Sequence, residues 1–302
     1  MNADAIRALF GKKNDPSGED LARLDAILAS ARFDIAKRPP SFEYIFSHVD
    51  DFGRKSPIGF AGCLGLVKGP EKSRKTTLLK AFAASAISGK RFINFHFDLG
   101  KEGKAAFFDT EQQGFDFWNT QSQIHYLGGM TTNFERYNAF TFLEASVEER
   151  FQLIERYVET TDNVRMIVID GALDLIEDFN DIRESRQASE RLTRIANRSG
   201  AVVFVVIHSS GKTGFKGKGG GNSLGHFGSF LQRKCKFAIA LDYDEKTHFT
   251  NIVHALARGT GKFPGFNFTN DKNGYPILDH NQTVELPQIV TTPQPVFEEL
   301  PF

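Results

Sequence analysis

The sequence predicts an α/β chain with a mostly parallel, twisted sheet flanked by helices and antiparallel strands at one edge. Three observations predict it. The apolar runs 64–67, 105–109, 166–170 and 202–208 are nearly continuous, as in strands buried on both faces. Helical patterns over 75–87, 146–160 and 183–198 alternate with them. Two further runs, 235–241 and 249–257, follow one another without a helix between and read as antiparallel edge strands.

Taken in order, residues 1–32 read as short amphipathic helices, and Arg38-Pro39-Pro40 then breaks the pattern. Residues 1–55 are expected to form a helical arm and linker suited to contacting another subunit. Residues 56–284 form the main domain. Residues 285–302, rich in proline and carrying Glu298-Glu299, form an extended, flexible tail.

Lys+Arg and Asp+Glu both number 37, so no global basic field marks nucleic-acid binding, and any such site is local. Cys63 and Cys235 cannot build a disulfide framework, and no CxxC pair offers a zinc site. A reduced, cytoplasmic setting is the expectation. No apolar run reaches the roughly 18 residues of a membrane span, and the first residues lack a signal-peptide core.

The strongest motif is Gly69-Pro70-Glu71-Lys72-Ser73-Arg74-Lys75-Thr76-Thr77, set between an apolar strand and a helical pattern. It follows the phosphate-loop pattern G-x-x-x-x-G-K-[ST], except that Arg74 stands in place of the last glycine. In such a loop, backbone N–H groups and the helix N-terminus surround a β-phosphate. Lys75 neutralises β/γ-phosphate charge, and Thr76 holds Mg²⁺ through its hydroxyl. Arg74 carries a Cβ and a long cation, so it is expected to fit only with negative φ and its side chain pointing out. The plainer reading is a lysine-rich turn before a helix.

The strand at 105–109 leads into Asp109-Thr110-Glu111, which puts a carboxylate at the C-terminal sheet edge, where ligands of open α/β sheets bind. Glu111 there can polarise an attacking water, although an ordinary helix-start acid looks the same. The strand ending in Asp170 has the form of one that holds Mg²⁺ through water, and Asp174 follows one turn later. His208 ends another buried strand and is placed to sense a γ-phosphate, or simply to close a strand. The run from Lys212 through Phe215, Lys216 and Lys218 to Asn222 is rich in glycine and lysine. It offers cations for phosphates and a ring for a base, or is a solvated loop. Arg258 and Lys262 follow an apolar strand, as trans-acting fingers or as a charged turn.

Together, over residues 56 to 280, these motifs resemble the RecA-like P-loop ATPase superfamily. The best-fitting branch is that of RepA-type and DnaB-type hexameric helicases, with relatives on plasmids and mobile elements. The resemblance implies an ATP- and Mg²⁺-dependent AAA-type ATPase and replicative helicase, working as a homo-oligomeric hexameric ring on single-stranded DNA. It implies Lys75, Glu111, Asp170 and His208 as catalytic, Gly69 to Thr77 as nucleotide-binding, and Thr76 and Asp170 at the metal. It further implies Arg258 and Lys262 as fingers, and Lys212, Phe215, Lys216 and Lys218 on DNA. Two other readings stay open: a RecA/RadA-like filament-forming recombination or repair ATPase, and a nucleotide-binding regulatory or assembly protein with weak or no turnover.

Overall fold

A computed structural model describes residues 17–36, 41–209 and 225–278. It divides into two compact units, Met1–Ser41 and Phe42–Phe302. In the first unit, helix α1 (Gly18–Ala31) starts at a capping box, in which Ser17 and Asp20 satisfy each other's backbone N–H. Its apolar residues Leu21, Leu24, Ile27 and Leu28 are exposed.

The second unit begins at Phe42, so part of the segment expected to belong to the arm is a strand of the main domain. Strand β1 (Tyr44–Val49) pairs antiparallel with β2 (Lys55–Phe60) and β4 (Phe95–Phe97), making a small sheet in the order β2-β1-β4. Among the described residues, the large sheet has nine strands. It takes in β3 (Leu64–Gly69), β5 (Lys104–Asp109), β6 (Tyr137–Thr141), β7 (Val164–Asp170) and β8 (Val202–His208). It continues with β9 (Phe237–Asp244), β10 (Phe249–Ala257), β11 (Phe266–Asn270) and β12 (Pro276–Leu278). The order is β12-β11-β10-β9-β3-β8-β7-β5-β6. From β9 to β6 the pairings are parallel. Strand β9 is parallel to β3 and antiparallel to β10, so the antiparallel edge begins at that hairpin.

Helices form at the three expected stretches, 75–87, 146–160 and 183–198, and at two more that the sequence analysis did not mark, 114–127 and 225–234. Helix α2 (Lys75–Ser88) follows β3, and α3 (Gly114–Leu127) follows β5. Helix α4 (Val147–Thr160) starts at a Ser146–Glu149 capping box, and α5 (Ile182–Ser199) starts at Asp181. Helix α6 (Gly225–Lys234) precedes β9. Helix α2 is apolar nearly all round and buried along almost its whole length, from Lys75 to Ile87.

Many of the 30 phenylalanines fill the core between the two sheets. The Phe46 ring lies 4.8 Å from Phe82, 5.0 Å from Phe204 and 5.8 Å from Phe237, centroid to centroid. The Phe237 ring in turn packs against β3 at Gly65. A Cβ at Gly65 would sit 2.1 Å from its ring, so only glycine fits there. Parallel strands β3, β8, β7 and β5 end together at one edge, with Gly69 in register with His208 and Asp109 with Asp170.

Candidate nucleotide site

The loop Gly69–Arg74 joins β3 to α2 and depends on a glycine at its start. A Cβ at Gly69 would lie 2.5 Å from Ser73 Oγ and 2.8 Å from the Leu241 carbonyl oxygen. Two non-glycine residues in the loop adopt left-handed backbone, Lys72 at φ 61° and Arg74 at φ 64°. Each such conformation costs roughly 1–2 kcal/mol for an L-residue. The expectation of negative φ at Arg74 is therefore overturned: Arg74 keeps the backbone shape that glycine would supply there.

The Arg74 side chain offsets that strain by leaving the loop. Its Nη1 donates to the His248 carbonyl at 2.8 Å and lies 3.3 Å from Thr250 Oγ1, and its guanidinium sits 4.7 Å from the Tyr243 ring centroid. A hydrogen bond from a charged donor contributes about 1.5–3 kcal/mol, and a partly exposed cation–π contact about 0.5–1 kcal/mol. These are the same size as the backbone cost. The sequence cannot reveal these partners, because they come from a hairpin about 170 residues later in the chain.

Lys75 opens α2. Its Nζ donates to the carbonyls of Gly69 (3.1 Å) and Pro70 (2.8 Å), and lies 3.2 Å from His208 Nδ1. Burial lowers its pKa, opposed by Asp170, Glu111 and Glu71. The other ring nitrogen of His208, Nε2, is 3.4 Å from Glu111 Oε1. An ammonium donating to Nδ1 requires the Nε2–H tautomer, whose proton then points to the Glu111 carboxylate. That contact is the main influence holding the Glu111 carboxyl below its usual range, against burial. Lys75, His208 and Glu111 thus form one continuous polar chain from the loop to the end of β5.

Asp109 emerges as a supporting residue that the sequence reading did not single out. It is fully buried and accepts the backbone N–H of Glu111 (2.9 Å) and of Gln112 (2.7 Å), and the Gln112 amide at 2.6 Å. Burial raises its pKa, and these bonds oppose that. Its task is to shape the turn that presents Glu111, and the signal was an aspartate two residues before it.

Asp170 ends β7 and accepts from Thr76 Oγ1 at 2.9 Å. Burial pushes its carboxyl up to about 7, with Asp109 and Glu111 adding repulsion. Thr110 Oγ1 donates to the carbonyls of Asp170 (3.1 Å) and Gly171 (2.9 Å), locking β5 to β7 just past their ends. Gly171 has φ 89°, and a Cβ there would meet Thr110 Oγ1 at 2.1 Å.

Residues Gly69 to Thr77, Glu111, Asp170 and His208 therefore meet at one sheet edge. Arg258 and Lys262 do not join them. Ala257 pairs with Phe237 at the start of β9, so both cations lie at the opposite edge of the sheet. Lys212, Phe215, Lys216 and Lys218 lie outside the described residues.

Residues 59–214, just over half the chain, match the family model described as AAA domain. The chain belongs to the AAA domain family. No match is found among the curated proteins. Among solved structures, the chain is similar to the crystal structure of the RadB recombinase, with a TM-score of 0.46 and 20% sequence identity. That alignment covers 71% of this chain and 90% of the other.

The AAA domain of this chain fits a nucleotide on its own geometry. The buried Ser73 hydroxyl has no hydrogen-bond partner, the loop is tight at Gly69, and a buried ammonium stands at the helix start. Thr76 and Asp170 supply the hydroxyl and carboxylate oxygens that suit Mg²⁺, a cation that keeps most of its remaining positions for water and phosphate. No cluster of three or more His, Cys, Asp or Glu capable of caging a metal occurs among the described residues. No helix among them is long and apolar enough to cross a membrane.

Proposed function

We propose that this chain is an ATP-hydrolysing DNA motor, a RepA-like replicative helicase that acts as a hexameric ring on single-stranded DNA. The observation that carries this reading is the Lys75–His208–Glu111 chain, because it links a phosphate loop to a carboxylate through the last residue of β8. Lys75 neutralises phosphate charge once it exchanges its loop carbonyls for the nucleotide. Glu111, ionised and held by His208, orients the attacking water. Thr76 and Asp170 hold Mg²⁺, which supplies charge neutralisation at the phosphates.

The segment with Lys212, Phe215, Lys216 and Lys218 begins four residues after His208, so it is the natural recipient of a change at that histidine. Its cations and ring suit a single strand. Because Arg258 and Lys262 lie at the far edge of their own sheet, they act, in this reading, on a neighbouring subunit's nucleotide. The arm before the main domain supplies a further subunit contact.

Magnesium-dependent ATP hydrolysis, measured with and without single-stranded DNA, tests the proposal. Stimulation by DNA and loss of turnover in Lys75→Ala are expected. Hydrolysis retained by Lys75→Ala sinks the site assignment. Continuous helical filaments on DNA in electron micrographs replace the ring with a recombinase-like assembly. Nucleotide binding without turnover leaves a regulatory protein.

A further inference from the structure

We propose that Arg74 is a positioning residue that latches the phosphate loop to the β9–β10 hairpin, so that this hairpin sets nucleotide affinity. The inference rests on the reading that the loop binds ATP, and it assigns a role to the outer end of a hairpin whose first strand, through Leu241, already lies against Gly69.

The latch is built from both sides. On the loop side, Arg74 sits immediately before Lys75 with left-handed backbone, so its conformation directs the first N–H groups of α2. On the hairpin side, the acceptor is itself held in place. The His248 carbonyl also accepts from Thr269 Oγ1 at 2.9 Å, and the His248 N–H donates to the Asp244 carbonyl at 2.9 Å. The Tyr243 hydroxyl lies 2.9 Å from His248 Nδ1, which fixes the ring that carries the guanidinium. Tyr243 and Thr250 are paired across the hairpin, so both Arg74 contacts fall on one face of it.

A glycine at this position holds its shape without a partner, but an arginine needs one. Removing the partner leaves a strained residue free to relax, and the loop N–H groups turn away from where phosphate oxygens are received. Loss of the hairpin contact therefore weakens binding and leaves the chemistry at Glu111 alone. A merely structural contact predicts lower thermal stability with unchanged affinity.

The test uses the full chain and its Tyr243→Leu, Tyr243→Phe, Arg74→Gly and doubly substituted Arg74→Gly/Tyr243→Leu forms. Two readouts are needed: the Kd of a fluorescent ADP analogue, and the KM and kcat for ATP. Tyr243→Leu should raise Kd and KM about twofold to fivefold with kcat unchanged, a change of roughly 0.5–1 kcal/mol in binding, the size of the lost cation–π contact. Tyr243→Phe keeps the ring but loses the hydroxyl contact with His248, so its Kd should lie between those of the parent and Tyr243→Leu. The double form should bind no worse than Arg74→Gly alone, since the ring has nothing left to hold. Wild-type affinity in both Tyr243→Leu and Arg74→Gly, or fully additive losses, overturns the latch. If Arg74→Gly does not fold, the Tyr243 pair decides the matter. Failure of the parent chain to bind any adenine nucleotide overturns the ATP reading itself, and the latch with it.

Discussion

Replacing Gly171 by alanine should damage the site from a position that touches no ligand. The backbone there has φ 89°, so any side chain incurs roughly 1–2 kcal/mol of strain. The added Cβ would lie 2.1 Å from Thr110 Oγ1 and 2.7 Å from Glu111 Cγ. An ordinary contact needs about 3.4 Å or more, so the Thr110–Glu111 turn must retreat by about 1 Å. Retreat breaks the hydrogen bond that the single Thr110 hydroxyl proton shares between the Asp170 and Gly171 carbonyls, which contributes about 1 kcal/mol. The expected loss of stability is therefore about 2–3 kcal/mol, read from the midpoint of urea unfolding. A displacement of 1 Å in a group that orients a reactant costs about 100-fold in rate, so kcat for ATP should fall by about that factor. Gly100→Ala is the control. It has φ 69° and no atom within 4 Å of the added Cβ, so it should show only the backbone strain and leave kcat unchanged. Equal stability and activity in Gly171→Ala and the parent would refute the contact between β5 and β7 on which the site reading depends.

Three further outcomes follow from the packing and the buried charges. Gly65→Ala should lose about 2–3 kcal/mol by overpacking against the Phe237 ring, and adding Phe237→Leu should recover part of it in the same unfolding assay. His48 and His254 flank Phe263 at 5.0 and 4.7 Å, and burial pushes both imidazoles down to about 4. Because the folded values lie below the unfolded value near 6.5, stability should be flat above that pH and fall as pH drops from about 6.5 towards 4, by at most about 3 kcal/mol for His48. A pH–stability curve unchanged by His48→Phe would contradict this. Asp170 has the reverse sign: its carboxyl sits at about 7, above the usual 3.8, so folding without a cation costs more as pH rises between those values. Asp170→Asn should then raise the melting temperature of the nucleotide-free chain at pH 8 while abolishing magnesium-dependent hydrolysis. A destabilised Asp170→Asn would argue against the charge penalty.

The elements that position the site were readable because their signals are local. Unbroken apolar runs ending in Asp170 and His208 mark buried parallel strands, and the spacing from Gly69 to Thr76 marks the turn between β3 and α2. What escaped depends on residues far apart in the chain. Arg74 looked like a defect because its compensating partners, Tyr243 and His248, belong to another hairpin. Strand β1 was hidden because it is short, follows Pro39-Pro40, and gains its meaning only by pairing with β2 and β4. The run at 235–241 showed strand character, but its parallel partner β3 lies some 170 residues earlier and leaves no mark on the local pattern.

Helix α2 is buried along almost its whole length among aromatic rings, sheet and helix α3, and its first residue is Lys75. A rod so enclosed cannot rotate or slide without opening the core, so it serves as the fixed post of the machine. Any movement that accompanies a change at the phosphate loop has to be taken up outside this helix. The phenylalanine-filled space between the two sheets thereby fixes the helix start on which the phosphate loop is built.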